Sequence, residues 1–245
     1  MYNYLIMNII SFEKLDSTNT YCKLNLDKLA DKTVVSTSLQ IAGRGRFERS
    51  WIDLGCENIY MSIVLKLSEN FSETYSNLTQ YMSVILCVQL EEIGLKPQIK
   101  WPNDVLLNDK KVCGILAEAV FKGQKLNGIV LGIGVNLNAK IEQVSQIDRP
   151  ATSVNLELGR EVDKAEFMQK LLDKFFLDYD EFLGNGFISI KDDYVKRASF
   201  LNQDLNIGIF NKVQSGFANG VDDKGALVLV DSEGKEHIIN MGEII

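Results

Sequence analysis

Apolar and polar residues alternate along much of this chain, and the pattern predicts mostly strands with a few helices between them. Residues 8–15 and 33–39 combine apolar and β-branched side chains, and residues 58–67 alternate, so each segment is predicted to form a strand. The apolar start, MYNYLIMNII, lacks a basic region and a small-residue cleavage site. It is therefore interpreted as part of a first strand and not as a signal peptide.

Other segments have the apolar spacing of helices. The residues DSTN at 16–19 supply N-cap side chains for a helix that is predicted to reach about Ala30. Apolar residues at helical spacing predict a second helix over 72–93, and Gly94 is a suitable C-terminal stop. Two further helices are predicted over 164–183 and 189–197.

The middle of the chain predicts antiparallel hairpins. The stretches IKWPNDVLLNDKKVCGILAEAVF and GIVLGIGVNLN form three or four predicted strands, separated by Asn-Asp-Lys-Lys and Gly-Gln-Lys turns. Helices and hairpins without βαβ crossovers predict an α+β fold, with a mixed, largely antiparallel sheet flanked by helices.

From about residue 199 the chain changes to short alternating segments separated by Asn, Gly and Asp turns. This pattern predicts a small β-barrel or meander of roughly 45 residues, which is near the lower size limit for independent stability and should therefore dock on the main domain. The predicted domains are residues 1–198 and 199–245.

Composition narrows the classes of function. The chain has 33 acidic and 26 basic residues, which argues against a general nucleic-acid-binding surface. No stretch reaches the roughly 18 apolar residues of a membrane span. The only histidine, His237, lies near the end of the chain, so neither a zinc site nor histidine-based catalysis is expected, and no metal ligands are predicted. The cysteines form no CxxC pair and are predicted to be free thiols in a reducing compartment, the cytoplasm: Cys22, Cys56, Cys87 and Cys113.

The segment GRGRFERSW, residues 43–51, carries three arginines and two glycines. Guanidinium groups match phosphate and carboxylate oxygens, and glycines let backbone N–H groups approach them. Phosphate binding is therefore one interpretation, beside a solvated basic loop and an RNA contact.

The segment KWPND, residues 100–104, places two polar side chains at the start of an apolar strand. It is either a strand end closed by an Asx turn or part of a pocket. If the following NDKK is a hairpin turn, Asp104 and Lys111 lie on neighbouring strands and can face one pocket. Lys111 alone would be an ordinary surface turn residue.

Two further segments are weak signals on their own. GIGVNLN at 132–138 offers two glycines where a ligand can approach the backbone, followed by Asn136, but strand glycines also mark bulges. STN at 17–19 is an ordinary N-cap or a set of polar groups that read the edge of a bound ring. Neither a GxGxxG fingerprint at a strand-to-helix turn nor a GxxxxGK[ST] loop is present.

The order of these motifs, DSTN, QxAGRGR…W, KWPND…KKVCGIL, GIGVNLN and a small β-domain, resembles the biotin protein ligases over nearly the whole chain. The resemblance implies a catalytic domain like that of class II aminoacyl-tRNA synthetases, followed by an Src-homology-3-like barrel. It also implies that ATP, with Mg2+ on its phosphates, activates biotin to biotinyl-5'-AMP. The biotinyl group then passes to a lysine of a biotin carboxyl carrier protein, a subunit of acetyl-CoA carboxylase.

The resemblance assigns roles residue by residue. The catalytic residues would be Lys111, Arg46, Arg44 and Asp104, with Asp104 helping the acceptor lysine to lose its proton. The biotin-binding residues would be Ser17, Thr18, Asn19, Gln40, Arg44, Gly45, Arg46, Lys111, Gly114, Ile115, Leu116, Gly132 and Gly134. The nucleotide-binding residues would be Arg46, Arg49, Trp51, Lys111 and Asn136.

Two departures from the family pattern lead to expectations. Glu48 replaces the second interior glycine of the family's loop, which adds negative charge beside the phosphates and removes backbone freedom. We expect altered adenylate retention, which Glu48→Gly would reverse. Bifunctional members carry an N-terminal helix-turn-helix domain, whereas this chain begins about 16 residues before STN. We therefore expect no DNA binding.

Other functions remain open from the sequence. A lipoate or octanoate ligase or transferase shares the catalytic fold, and a biotin- or adenylate-binding protein without catalysis is a second alternative. A structural or interaction module built on the C-terminal barrel is a third. Fold alone does not separate these functions. The expected oligomeric state is a monomer or a homodimer.

Overall fold

The computed structural model describes residues 8–47, 49–66 and 73–245. The predicted strand in residues 1–7 and the departure at Glu48 lie outside these residues. The described strands are β1 (Ile9–Leu15), β2 (Val34–Gln40), β3 (Gly43–Arg44), β4 (Ser50–Trp51), β5 (Ile59–Lys66), β6 (Pro97–Lys100), β7 (Asp104–Leu107), β8 (Lys110–Lys122), β9 (Lys125–Val135), β10 (Asp204–Ile209), β11 (Lys212–Val221), β12 (Leu227–Val230), β13 (Glu236–Ile239) and β14 (Glu243–Ile244). The described α-helices are α1 (Thr18–Leu24), α2 (Leu78–Glu92), α3 (Ile141–Val144), α4 (Val154–Leu158), α5 (Lys164–Leu177), α6 (Tyr179–Asn185) and α7 (Lys191–Lys196).

The chain divides into two compact units. The first unit comprises Met1–Phe71 and Lys110–Asp173, and the second comprises Ser72–Asp109 and Lys174–Ile245. The boundaries of these units differ from the predicted domain boundary after residue 198. The division into domains 1–198 and 199–245 stays a prediction.

The sheet of the first unit contains five strands in the order β1-β2-β5-β9-β8. β1 and β2 are parallel, whereas the pairs β2–β5, β5–β9 and β8–β9 are antiparallel. β5 is buried from Ile59 to Leu65, so both of its faces are covered, as expected of a strand inside a sheet that is packed on both sides. The pairing confirms the predicted mixed, largely antiparallel sheet.

The first helix is shorter than predicted. α1 ends at Leu24, and Asn25 caps it: its backbone leaves the helical conformation, with a φ of −112°, and its side-chain amide donates to the carbonyl of Tyr21. The chain then continues in turns to residue 32, where Leu26 and Leu29 pack into the core beside Cys22. The expectation of a helix up to Ala30 was wrong, since the apolar spacing reflects burial of these turns.

The second unit is built around α2. A 3₁₀ helix at Glu73–Asn77 precedes it, so the predicted helix over 72–93 has two parts. Gly94 follows with a φ of 93°, which confirms its role as a stop. Tyr81 of α2 stacks on Phe182 of α6, with ring centroids 4.3 Å apart. The helix predicted over 164–183 is broken at Asp178 into α5 and α6, and the one predicted over 189–197 is a 3₁₀ helix, Gly186–Ser189, followed by α7.

The C-terminal strands form a separate antiparallel sheet in the order β13-β12-β11-β10-β14. Asn77 donates to the carbonyl of Lys224 at 2.9 Å, and Gln80 donates to the carbonyl of Gly225 at 2.9 Å. These bonds attach the turn before β12 to the start of α2. A small C-terminal β-sheet domain is therefore present, and its closure into a barrel stays a prediction.

Candidate active site

Three polar residues at the start of α1, Ser17, Thr18 and Asn19, form the first part of the candidate site. Ser17 is the N-cap: its backbone is extended and its hydroxyl accepts the N–H of Thr20 at 3.4 Å. Thr18 and Asn19 follow, and their side chains are buried. Buried polar groups need hydrogen-bond partners, and both residues find them in strands far away in sequence.

Thr18 is bonded to the last residue of β2. Gln40 Oε1 accepts the backbone N–H of Thr18 at 3.0 Å and its hydroxyl at 3.3 Å. The backbone N–H of Gln40 donates to Asp53 Oδ2 at 2.5 Å, and Asp53 Oδ1 accepts the N–H of Gly55 at 2.7 Å. Asp53 therefore joins the residues on both sides of the arginine loop, which we define as residues 43–51.

Asn19 is fixed by three partners. Its Nδ2 donates to Glu118 Oε2 at 2.9 Å and to the carbonyl of Leu116 at 3.4 Å, while Ser62 Oγ lies 2.6 Å from its Oδ1 as a donor. A Cβ on Gly132 would lie 2.2 Å from the same oxygen. The close approach of the Asn19 amide therefore requires a glycine at position 132. This strand glycine does more than mark a bulge.

The arginine loop begins and ends as a short hairpin. Gly43 pairs with Trp51 and Arg44 with Ser50. The N–H of Gly45 also donates to the carbonyl of Arg49 at 2.7 Å. The sequence reading did not predict these strands, because two-residue strands carry no periodicity. Their pairing brings Arg44 and Trp51 to the same end of the loop.

Trp51 lies directly on the sheet. Gly114 of β8 is paired with Gly134 of β9. A Cβ added to Gly114 would lie 2.7 Å from the indole ring, and one added to Gly134 would lie 2.6 Å from it. The Nζ of Lys111 lies 5.6 Å from the ring centroid, within reach of a cation–π contact. The indole N–H is buried and makes no hydrogen bond to any described residue. The indole thus fills the space above the glycine pair.

Arg44 turns back to the sheet as well. One guanidinium nitrogen lies 3.2 Å from Glu118 Oε1, and Lys23 Nζ lies 2.7 Å from the same oxygen. Burial raises the pKa of the Glu118 carboxyl, but hydrogen bonds from Lys23 and Asn19 and the charges of Lys23 and Arg44 outweigh it, so the net pKa is lowered. Glu118 is therefore a charged acceptor at neutral pH.

Lys111 and Asn136 are both held by residues 150–154, Lys111 through its backbone and Asn136 through its side-chain amide. The N–H of Lys111 donates to the carbonyl of Pro150, and its carbonyl accepts the N–H of Thr152. The Nδ2 of Asn136 donates to the carbonyl of Thr152 at 3.0 Å. Asn136 therefore has a structural bond beside the nucleotide contact that the sequence predicts.

The remaining predicted site residues lie elsewhere. Side chains alternate along β8, so Ile115 points to the face opposite Gly114 and Leu116 and cannot line the same surface. This corrects the expectation that all three line one pocket. Asp104 begins β7 in the second unit. Arg46 stacks on Phe47, 4.9 Å from the ring centroid, and Arg49 closes the loop turn through its N–H to the carbonyl of Arg46.

The sequence reading missed several residues that organise this site. Ser62 is a buried polar residue in the otherwise apolar strand IYMSIVLK, and Glu118 is a charged residue in the apolar strand that follows GIL. Both are exceptions to the local pattern, which is the signal that could have identified them. Asp53 carried no such signal, because it follows an exposed loop.

Within the described ranges, no group of three or more His, Cys, Asp or Glu side chains could hold a metal ion. The helices described here also include none that is long and apolar enough to cross a membrane.

Comparison with known proteins identifies the class that this fold and site define. The model of the biotin/lipoate A/B protein ligase family matches residues 11–136, which is just over half the chain. This range contains most of β1, the STN segment, the arginine loop, Lys111 and the glycine pair. The chain belongs to this family.

Individual relatives agree over a longer range. The chain is 31% identical to the bifunctional ligase/repressor BirA of Bacillus subtilis over 94% of its own length and 72% of that protein. It is also 31% identical to a biotin–[acetyl-CoA-carboxylase] ligase of Paracoccus denitrificans, over 92% of this chain and 95% of the relative. Among solved structures, the biotin protein ligase of Aquifex aeolicus in complex with biotin and ATP superimposes with a TM-score of 0.82 at 25% identity, covering 97% of each chain.

Proposed function

We propose that this protein is a biotin protein ligase. In the first step a carboxylate oxygen of biotin attacks the α-phosphorus of ATP, and the bond from that phosphorus to the bridging oxygen of pyrophosphate breaks. In the second step the uncharged amine of a lysine on the carrier protein attacks the carbonyl carbon of biotinyl-5'-AMP. The C–O bond to AMP breaks, AMP leaves with the electron pair of that bond, an amide forms, and the attacking nitrogen loses one proton.

One observation carries this proposal: the first unit brings the STN segment, Gln40, the arginine loop and Lys111 to one side of a sheet with a glycine pair, Gly114 and Gly134. Hydroxyl and amide groups suit a polar ring such as the ureido ring of biotin, and we assign ring binding to Ser17, Thr18, Asn19 and Gln40. Gly114, Leu116, Gly132 and Gly134 would form the floor, and the side chain of Ile115 would support it from behind.

The cationic residues are assigned to the phosphoryl chemistry. Lys111 would hold the biotin carboxylate against the α-phosphate, and Arg44, Gly45 and Arg46 would cover the adenylate. Arg49, Trp51 and Asn136 would border the nucleotide. No enzyme nucleophile is needed, because biotin itself supplies the attacking oxygen. The rate enhancement would come from positioning two anionic substrates and from cations placed where negative charge increases.

Trp51 has to move for biotin to reach its floor. The indole ring is in contact with both Gly114 and Gly134, so the ligand and the ring cannot occupy the same space. The ring sits at the end of the hairpin β3–β4, which contains only two residue pairs. We propose that the loop lifts Trp51 off the glycine pair and then closes over the ligands, which also excludes water from the adenylate.

Further assignments follow from the family. Asp104 would assist deprotonation of the acceptor lysine, and Mg2+ would enter on the ATP phosphates. The acceptor would be a biotin carboxyl carrier protein, the compartment the cytoplasm, and the active form a monomer or homodimer.

Biotin-dependent exchange of labelled pyrophosphate into ATP tests the first step. The variant Lys111→Ala removes the proposed contact with both substrates, and Lys110→Ala is a matched control because its side chain is exposed and one position away. We expect exchange with biotin in the wild type and in Lys110→Ala, and a loss of roughly 100-fold or more in Lys111→Ala.

Parallel exchange assays with lipoate and octanoate show which acid this ligase activates. Exchange that depends on either of these acids and not on biotin would replace the proposal with a lipoate-type ligase. Binding of biotin with no exchange at all would leave a binding protein without catalysis.

A further inference from the structure

Glu118 is a charged residue on the inner face of the site. It lies on β8 two residues beyond Leu116 and four beyond Gly114, so the three share one face of the strand. Its side chain is only 15% exposed. A carboxylate in such a place needs partners, and the ones it has come from α1 and from the arginine loop.

One carboxylate oxygen determines which way Asn19 presents its amide. Glu118 Oε2 can only accept at neutral pH, so it requires the N–H2 group of Asn19 on its side. The carbonyl of Leu116 imposes the same orientation, and Ser62 Oγ is placed to donate to the opposite atom, Oδ1. Asn19 therefore presents an acceptor oxygen towards Gly132, where an N–H of a ligand ring would need one.

The other oxygen binds two cations. Lys23 Nζ lies 2.7 Å and Arg44 lies 3.2 Å from Glu118 Oε1. Lys23 is on the same helix as Asn19, whereas Arg44 belongs to the arginine loop. The side chain of Arg44 is 49% exposed, so its charge is not used to stabilise the core. The 3.2 Å contact between Arg44 and Glu118 therefore connects the arginine loop to the ring-binding residues.

We propose that Glu118 is a positioning residue of the ligase reaction, which fixes Asn19 as an acceptor for the biotin ring and holds Arg44 in the arginine loop above that ring. The inference rests on the proposed function, because it assigns Asn19 and Arg44 to biotin. In this role Glu118 would act through Asn19 and Arg44 and would not contact the reacting atoms itself. A single carboxylate thus sets two binding groups that lie 25 residues apart in sequence.

The variants Glu118→Gln and Glu118→Asp test this role. Gln removes the charge that holds Arg44, whereas Asp keeps a charge on a shorter side chain. Lys23→Met is the control, since it removes the other partner of the same oxygen and leaves the loop contact in place. Thermal unfolding measures whether each variant is folded, and pyrophosphate exchange gives separate KM values for biotin and ATP.

The inference predicts a split between the two substrates. For Glu118→Gln we expect the KM for biotin to rise about tenfold, the release of biotinyl-5'-AMP to accelerate similarly and the KM for ATP to change by less than about twofold. Glu118→Asp should recover part of the biotin affinity, and Lys23→Met should resemble the wild type. In an Arg44→Gln background, Glu118→Gln should accelerate adenylate release much less than it does alone.

Two results would overturn the inference while leaving the ligase reaction intact. One is a KM for biotin in Glu118→Gln equal to that of Lys23→Met. The other is a parallel rise in both KM values with a lower melting temperature, which is the signature of a merely structural residue. Absence of exchange in the wild type would instead remove the proposed function, and the inference with it.

Discussion

In the first unit a network of buried polar side chains runs from Ser62 through Asn19 to Glu118, whereas at the start of α2 in the second unit two buried amides are attached to the backbone of a turn. Ser62 Oγ lies within hydrogen-bond distance of both Thr18 and Asn19, and Asn19 continues to Glu118. In the second unit Asn77 donates to Gln80 Oε1 at 2.6 Å, and both amides also donate to carbonyls of the turn at residues 224 and 225. Bonds to a turn hold an element in place, while a connected network of side chains fixes the direction of each donor and acceptor.

The apolar parts of the two units differ in the same sense. Tyr81 in the second unit stacks on Phe182 and lies 5.1 Å from Phe175, and its hydroxyl donates to the carbonyl of Phe175 at 2.6 Å. In the first unit the aromatic ring of Trp51 rests on glycines and leaves its N–H without a described partner. At these positions the rings of the second unit pack on one another, whereas in the first unit Trp51 lies on the glycines that we propose as the floor of the ligand site.

The largest effect should come from the aromatic cluster of the second unit. Phe182→Ala removes the stacking partner of Tyr81 and leaves a cavity, so the free energy of unfolding should fall by about 3–5 kcal/mol. Urea denaturation measures this change, with Phe210→Ala as the control because Phe210 is 82% exposed. The KM for biotin of the folded variant should be unchanged. A raised KM for biotin at unaltered stability would instead show that the aromatic cluster takes part in ligand binding.

Gly132→Ala should have the next largest effect, and on binding. The new methyl group would lie 2.2 Å from Asn19 Oδ1 and would displace that oxygen from the site. We expect the KM for biotin to rise by roughly 10- to 100-fold. Gly220→Ala is the control, since nothing lies within 4 Å of its added Cβ. An unchanged KM in Gly132→Ala would show that Asn19 does not contact the ligand.

A smaller effect concerns acid stability. The pKa of Glu118 is lowered in the folded protein, so its ionised form contributes stability above the unfolded-state pKa. That contribution is lost as the pH falls through the lower, folded-state pKa. Between about pH 5 and pH 3 the stability of Glu118→Gln should therefore decrease less steeply than that of the wild type, as urea denaturation at each pH would measure. Parallel curves would exclude a stabilising role for the carboxylate.

The smallest effect is spectroscopic. The chain has two tryptophans, so Trp101→Phe leaves Trp51 as the only indole fluorophore. If biotin displaces the half-buried ring from Gly114 and Gly134, the emission of Trp51 should shift in a saturable way during a biotin titration. The variant Trp51→Phe, which retains Trp101, should show no such shift. A silent Trp51 in a protein that still binds biotin would contradict the movement of the ring.

Strands and helices whose signal lies in neighbouring residues could be predicted from the sequence. β-Branched content identified β2, alternation identified β5, and helical spacing followed by Gly94 identified α2. The end of α1 at Leu24 could not be predicted from the same pattern, because buried turns and a buried helix both need apolar residues.

The site was predictable only in part, for a similar reason. Motif residues such as Thr18, Gln40 and Lys111 could be named from the family resemblance. The bonds that hold them could not, because Asn19 and Glu118 are 99 residues apart in sequence and meet only through the sheet. Local sequence carries no information about such long-range pairing, and the close approach of Gly132 to Asn19 depends on the same register.

The central claim is that the first unit forms and holds biotinyl-5'-AMP through Lys111. The most direct measurement is mass spectrometry of the small molecules released by denaturing the purified protein after incubation with biotin, ATP and Mg2+. The account predicts biotinyl-5'-AMP in near-stoichiometric amount from the wild type and from Lys110→Ala, and almost none from Lys111→Ala. Equal amounts from all three proteins would contradict the role of Lys111, and its absence from all three would contradict the proposed reaction.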